Sequence, residues 1–235
     1  MNHIIQERLN KDDSISLKEN NIIPISTNVV TFNPTIMLIK ELINKNSINE
    51  ALNIIGVDAQ YNQNIYIHQN QDPDKNSTLF TSQNAYVPFN NILTIDNPQI
   101  DLLKREILAG VKEIMNIYYK SAQQFKVSIT NSWMQKYKSG TFLSPHNHLT
   151  SNMNNKSIYL SMWYYIDDGD PDLTQSYSGC ITFINEEKLY HIRPKPGMLL
   201  MWKSNLIHLV NPFYSKSNKD RFMLSANLEI EVLES

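Results

Sequence analysis

Cysteine is almost missing: Cys180 stands alone, which excludes an internal disulfide and any cysteine-rich zinc site. Cys180 is therefore read as a small strand hydrophobe. Charge of one sign is missing too. Lys and Arg number 21 against 23 Asp and Glu, a net charge of −2, so there is no electrostatic case for nucleic acid or an anionic membrane. No apolar run approaches the roughly 18 residues of a membrane span. The opening residues, MNHIIQERLNKDD, lack the apolar core of a secretory signal. The expectation is a soluble, cytoplasmic protein. What the chain does have is 41% hydrophobic residues over 235 positions, enough for a sizeable core. The abundance of Asn, Ile and Lys is what AT-rich codons produce, and points weakly to a phage or bacterial genome.

Residues 1–20 are polar and without period, as mobile segments are. "NNIIPISTNVVTF" reads as a strand or two. "NPTIMLIKELINKN" reads as the start of a helix, with Asn33 as N-cap and Pro34 at the first helical position. Residues 45–95 are rich in Asn and Gln and read mostly as loop with short elements, with 60–95 as a lid or substrate loop or else plain disorder. The clearest helix is "DNPQIDLLKREILAGVKEIMNIYYK". Asn97 caps it, Pro98 takes the first position, and Ile100, Leu103, Ile107, Val111, Ile114 and Tyr118 form one apolar stripe. From residue 125 the period changes to two. Strands are expected at 126–137, 142–148, 157–166, 180–184, 189–193, 198–202, 206–210 and 221–232. The organisation is thus an N-terminal helical or mixed part, 1–124, supporting a β core, 125–235, within one compact domain. Strands at this density suggest a sandwich or barrel with helices on one outer face.

The candidate chemistry gathers on the strands. In "SPHNHLTS", His146 and His148 share a face if the strand runs through both. His208 follows in the apolar run "NLIHLVNP". His3, His68 and His191 read as surface or loop residues without a role. In the last strand, Phe222, Leu224, Ala226, Leu228 and Ile230 share a face suited to the helices. Arg221, Met223, Ser225 and Asn227 share the other, which puts a guanidinium and a hydroxyl inside. A buried arginine needs an anionic partner, and no strand offers an inward acid, so a bound carboxylate is a reasonable one. The bland alternative leaves Arg221 at the strand mouth, in solvent or against an acidic loop. In "SIYLSMWYYID", Tyr159, Ser161, Trp163 and Tyr165 share a face that suits a lined pocket, or else simply the wetter face of an antiparallel sheet.

His-x-His, then "YYID", "SGCITF", "IRPKPGMLLMW", a single His and an Arg thirteen residues after it form an ordered set over about residues 130–230. This order resembles the Fe(II)/2-oxoglutarate-dependent oxygenases, most closely the prolyl-hydroxylase-like branch and phage or bacterial oxygenases of similar size. The resemblance implies a mostly-β double-stranded β-helix (a cupin-like jelly roll) with N-terminal helices packed on one sheet. It implies Fe(II) held by His146, His148 and His208. It implies 2-oxoglutarate bound through Arg221, assisted by Ser225 and Tyr165, with Tyr137 nearby in the cofactor pocket. The implied partners are O₂ and a prime substrate, a protein side chain or small molecule, hydroxylated with release of succinate and CO₂. Gly179 and Gly197 would serve tight turns.

One departure stands out: His148 occupies the position where the family pattern has Asp or Glu. Three histidines binding Fe(II) is the favoured reading. In a second, a loop acid substitutes, Asp167 or Asp168 being nearest in sequence. In a third, the site takes another metal or none. Two other functions stay open on the residues: a three-histidine metal dioxygenase or cupin-type enzyme that ignores 2-oxoglutarate, and a non-catalytic jelly-roll binding module.

Overall fold

The computed structural model describes residues 4–8, 28–32, 35–61, 85–119, 124–149, 153, 157–185 and 188–233. These form β1 (Ile4–Arg8), β2 (Asn28–Phe32), β3 (Thr35–Glu41), α1 (Lys45–Tyr61), β4 (Ala85–Asn90), α2 (Pro98–Tyr119), β5 (Phe125–Tyr137), β6 (Leu143–His146), β7 (Ser157–Asp167), β8 (Ile181–Asn185), β9 (Lys188–Ile192), β10 (Met198–Lys203), β11 (Ile207–Val210) and β12 (Arg221–Val232). The strands make two antiparallel sheets. One has the order β1-β9-β8-β11-β6, the other β2-β3-β10-β7-β12-β5-β4. The architecture is the expected mostly-β double-stranded β-helix with helices on one sheet.

Alternation along the central strands creates two apolar layers. On β7, Leu160, Met162, Tyr164 and Ile166 face outward, joining Leu224, Ala226, Leu228 and Ile230 of β12 and the α2 stripe of Ile100, Leu103, Ile107, Val111 and Ile114. Trp163 and Tyr165 face inward with Met223, Tyr137, Phe183, Trp202 and Phe213. Neither face of β7 is wet between residues 160 and 166. α2 is capped as its sequence predicts: Asn97 Oδ1 accepts from the Gln99 N–H at 2.8 Å and the Ile100 N–H at 3.3 Å. The side chain of Tyr118 lies outside the described residues.

Four expectations need correction. "TIMLIKE" is the strand β3, not the start of a helix. Met37, Leu38 and Ile39 are consecutive and all fully buried, Leu38 in the outer layer and its two neighbours in the inner one. A helix on a sheet buries one stripe, whereas a strand inside a covered sheet buries both faces. Asn33 and Pro34 lie outside the described residues. Residues 45–61 are a helix rather than loop, because Ile48 and Leu52, four apart and fully buried, anchor α1 to the outer layer despite its polar composition. The polar start is ordered in part: β1 pairs with β9 from Ile4↔Ile192 to Arg8↔Lys188. Finally, His191 is no surface residue. It is buried on β9 with Nδ1 at 2.7 Å from Thr182 Oγ1. His3, His68 and residues 62–84 lie outside the described residues. Among the described residues, no helix is long and apolar enough to cross a membrane.

Candidate active site

His146 and His208 meet because β6 and β11 pair in a register that sets them directly opposite. The strand expected at 142–148 stops at His146, so His148 does not share its face by strand alternation. It is brought back by its own backbone: the His148 N–H donates to the Ser204 carbonyl at 2.8 Å, beyond the end of β10. One potential ligand atom from each of the three histidines then lies within 4.8 Å of the others. Their ring centroids are 4.2–5.3 Å apart.

Each imidazole is held by its Nδ1. His146 Nδ1 lies 2.9 Å from the Ser144 carbonyl, and His208 Nδ1 lies 3.0 Å from the Leu206 carbonyl. His148 Nδ1 lies 2.7 Å from Asn227 Oδ1. Carbonyl oxygens only accept, so the two backbone contacts put the proton on Nδ1 and leave Nε2 with its lone pair. His208 Nε2 is buried without a protein partner. Burial holds all three rings well toward the neutral form. It lowers the His146 pKa, brings His148 down to about 4 against the partial support of Asn227, and takes His208 well below its ordinary value. Neutral imidazoles that each bring a ring nitrogen within 4.8 Å of the others are what a divalent metal requires. Among the described residues no carboxylate joins the cluster. Asp167 is committed elsewhere, to Lys219 at 2.7 Å and to the Gly169 N–H, and Asp168 to the Asp170 N–H. Neither acid substitutes for His148.

Trp202 and Phe183 close round His208 at ring distances of 5.0 and 5.8 Å. Trp163 lies 5.3 Å from His208 on one side and 6.3 Å from Tyr165 on the other. Tyr165 leads to Arg221, whose guanidinium carbon is 6.0 Å from its ring, 5.4 Å from Phe213 and 4.4 Å from Tyr137. Arg221 is buried at 1% exposure, so the reading that leaves it at a wet strand mouth does not hold. Its Nη1 donates to the Gly179 carbonyl, while Nε and Nη2 are buried and have no protein acceptor. The Tyr165 hydroxyl is likewise buried without a partner. Burial pushes Tyr137 up to about 12 and Tyr165 higher still, so both are neutral donors. A buried cation with two idle donors beside an idle phenol has the hydrogen-bonding capacity to take an anion of carboxylate size.

Ser225 is fully buried on the same inward face, but its hydroxyl contacts Gln135 Oε1 at 3.3 Å. The Tyr137 hydroxyl meets the same oxygen, also at 3.3 Å. Gln135 and Asn227 touch the site residues although the motifs marked neither of them out. The available signal was parity: Gln135 is two residues from Tyr137, and Asn227 was already on the Arg221 face. Gly179 has φ +64°, and a Cβ there would come within 2.6 Å of Arg221 Nη1. It therefore serves the guanidinium as well as a turn. Gly197, at φ +85°, sits in the turn before β10.

Comparison with known proteins follows this geometry. A family model described as "Putative 2OG-Fe(II) oxygenase" matches residues 131–227. A prolyl-4-hydroxylase of Pseudomonas putida superposes with a TM-score of 0.50 at 13% identity, over 84% of this chain and 92% of that one. A viral collagen prolyl hydroxylase of Paramecium bursaria Chlorella virus-1 gives 0.41 at 13% identity, over 74% and 90%. A prolyl hydroxylase of Trichoplax adhaerens, in complex with a peptide fragment of hypoxia inducible factor, gives 0.40 at 19% identity, over 58% of this chain and 59% of that one. No curated protein sequence matches. The family model thus meets the resemblance drawn from the ordered motifs over residues 131–227, and the Pseudomonas putida structure shares the fold.

Proposed function

We propose that the chain is an Fe(II)- and 2-oxoglutarate-dependent dioxygenase that hydroxylates a C–H bond of a protein side chain or small molecule, releasing succinate and CO₂. The observation that carries this reading is the buried Arg221 guanidinium with two idle donors, reached through the Tyr165 and Trp163 rings from a cluster of three neutral histidines. A metal site alone needs no such arginine. A binding module needs neither.

In this reading His146, His148 and His208 would hold the iron. When bound, iron with 2-oxoglutarate supplies the activation of O₂. The remaining work belongs to the chain. Arg221 Nε and Nη2 fork onto the distal carboxylate of 2-oxoglutarate, and the Tyr165 hydroxyl donates to the same group. Tyr137 supports the guanidinium with its ring, 4.4 Å away, beside the anion site. Ser225 acts through Gln135, which keeps the floor of the pocket ordered. Trp163, Trp202 and Phe183 keep water from the His208 side of the metal, where an oxidant would otherwise be quenched.

The test is anaerobic reconstitution with Fe(II) and 2-oxoglutarate, followed by admission of oxygen. A weak visible charge-transfer band and slow succinate formation are expected, even without prime substrate. Metal binding with neither band nor turnover would favour a three-histidine enzyme indifferent to 2-oxoglutarate. Absence of stoichiometric metal would favour a non-catalytic jelly roll.

A further inference from the structure

His148 differs from the other two histidines in one respect. Its Nδ1 faces a side chain, not a backbone carbonyl, and that side chain has two ends. Asn227 Oδ1 lies 2.7 Å from His148 Nδ1 and 3.2 Å from Ser161 Oγ, which donates to it. Ser161 Oγ in turn lies 2.9 Å from Ser204 Oγ, and both serines are buried. If Asn227 presents its oxygen, His148 must carry its proton on Nδ1 and leave Nε2 bare. If the amide turned over, its N–H would donate to Nδ1, the proton would move to Nε2, and that atom could no longer bind a metal. The state of His148 is therefore tied to which way Asn227 faces.

We infer that Asn227 is a positioning residue for the metal site: held by Ser161 and Ser204, it fixes His148 as the Nδ1–H tautomer and so makes a histidine usable where a carboxylate is expected. The backbone around it is built to the same end. The β5–β12 register shifts just after Asn227, and the Thr130 hydroxyl donates to the Asn227 carbonyl at 3.1 Å, which pins the residue on the inward face. The His148 N–H is bonded to the carbonyl of the same Ser204 whose hydroxyl ends the relay. One short polar chain, Ser204–Ser161–Asn227–His148, thus sets both the place and the tautomer of the third imidazole.

The inference rests on the metal-site part of the proposed function. Its first readout does not need activity: ¹H–¹⁵N correlations of the histidine rings in the metal-free full-length chain. His148 is expected with Nδ1 protonated and Nε2 bare. Asn227→Leu should release the ring toward the Nε2–H form and weaken Co(II) binding roughly 10–100-fold, the usual cost of losing such an outer contact. Asn227→Asp, which still offers an oxygen to Nδ1–H, should restore both. A wild-type His148 protonated on Nε2 overturns the inference, and needs no variant that might fail to fold. So does an Asn227→Leu protein with tautomer and Co(II) affinity unchanged, or an Asn227→Asp protein no better than Asn227→Leu. Should the tautomer and Co(II) results stand while 2-oxoglutarate turnover is absent, the proposed reaction fails and the role of Asn227 survives.

Discussion

Replacing Arg221 with methionine separates the two things a buried cation can do, hold the fold or hold a ligand. In wild type, Nε and Nη2 each offer a charge-assisted hydrogen bond, worth about 1.5–3 kcal/mol. Losing both removes about 3–6 kcal/mol of 2-oxoglutarate binding, or roughly 10²–10⁴ in Kd. The cost to the free protein is different. Arg221→Met breaks the bond to the Gly179 carbonyl and the stack on Tyr137 at 4.4 Å, together about 1–3 kcal/mol. It also removes a desolvated charge with no acid beside it, a gain of several kcal/mol. The two nearly cancel, so stability without ligand should move by no more than about 2 kcal/mol. The assay is thermal unfolding with redox-silent Mn(II), with and without 2-oxoglutarate. At a concentration 100 times the wild-type Kd, the ligand should add about 2.7 kcal/mol to wild type, or roughly 5–11 °C in Tm. Arg221→Met should show about 1 °C or less under the same conditions. A variant that keeps the full ligand shift would refute the anion site. One that loses more than about 4 kcal/mol without ligand would show that the guanidinium is a structural group already well paired.

Three further outcomes follow from the same geometry. Because burial depresses the pKa of His146, His148 and His208, the unfolded chain binds protons that the folded metal-free protein refuses. Their contribution to stability should be complete above about pH 6.5 and shrink as pH falls from there toward the His148 value of about 4, readable from urea midpoints across that window. Gly179→Ala places a Cβ in the left-handed region, 2.6 Å from Arg221 Nη1. About 1–2 kcal/mol of stability should go, with 2-oxoglutarate affinity falling and Co(II) affinity unchanged by calorimetric titration. Asn97→Ala removes a cap far from the site and should cost about 1 kcal/mol in denaturant unfolding, leaving metal binding as it was.

Local pattern determined a good deal here. The period of two located the eight strands after residue 125, since alternation is imposed by the pleat itself. The Asn97–Pro98 start and the stripe after it located α2, since capping and the 3.6-residue repeat are local. The opposed faces of β12 told apart the residues that meet the helices from those that face the interior. Only tertiary structure decided the rest. "TIMLIKE" became a strand because sheet and helices cover both its faces, and a polar-looking stretch became α1 because Ile48 and Leu52 found the outer layer. His148 reached the cluster through the Ser204 carbonyl, not by alternation, as β6 had already ended. Parity placed Gln135 and Asn227 on inward faces but assigned them no role, for an amide matters only through what stands opposite it. Those partners come from other strands, so long-range pairing, not local sequence, brings them within hydrogen-bonding distance.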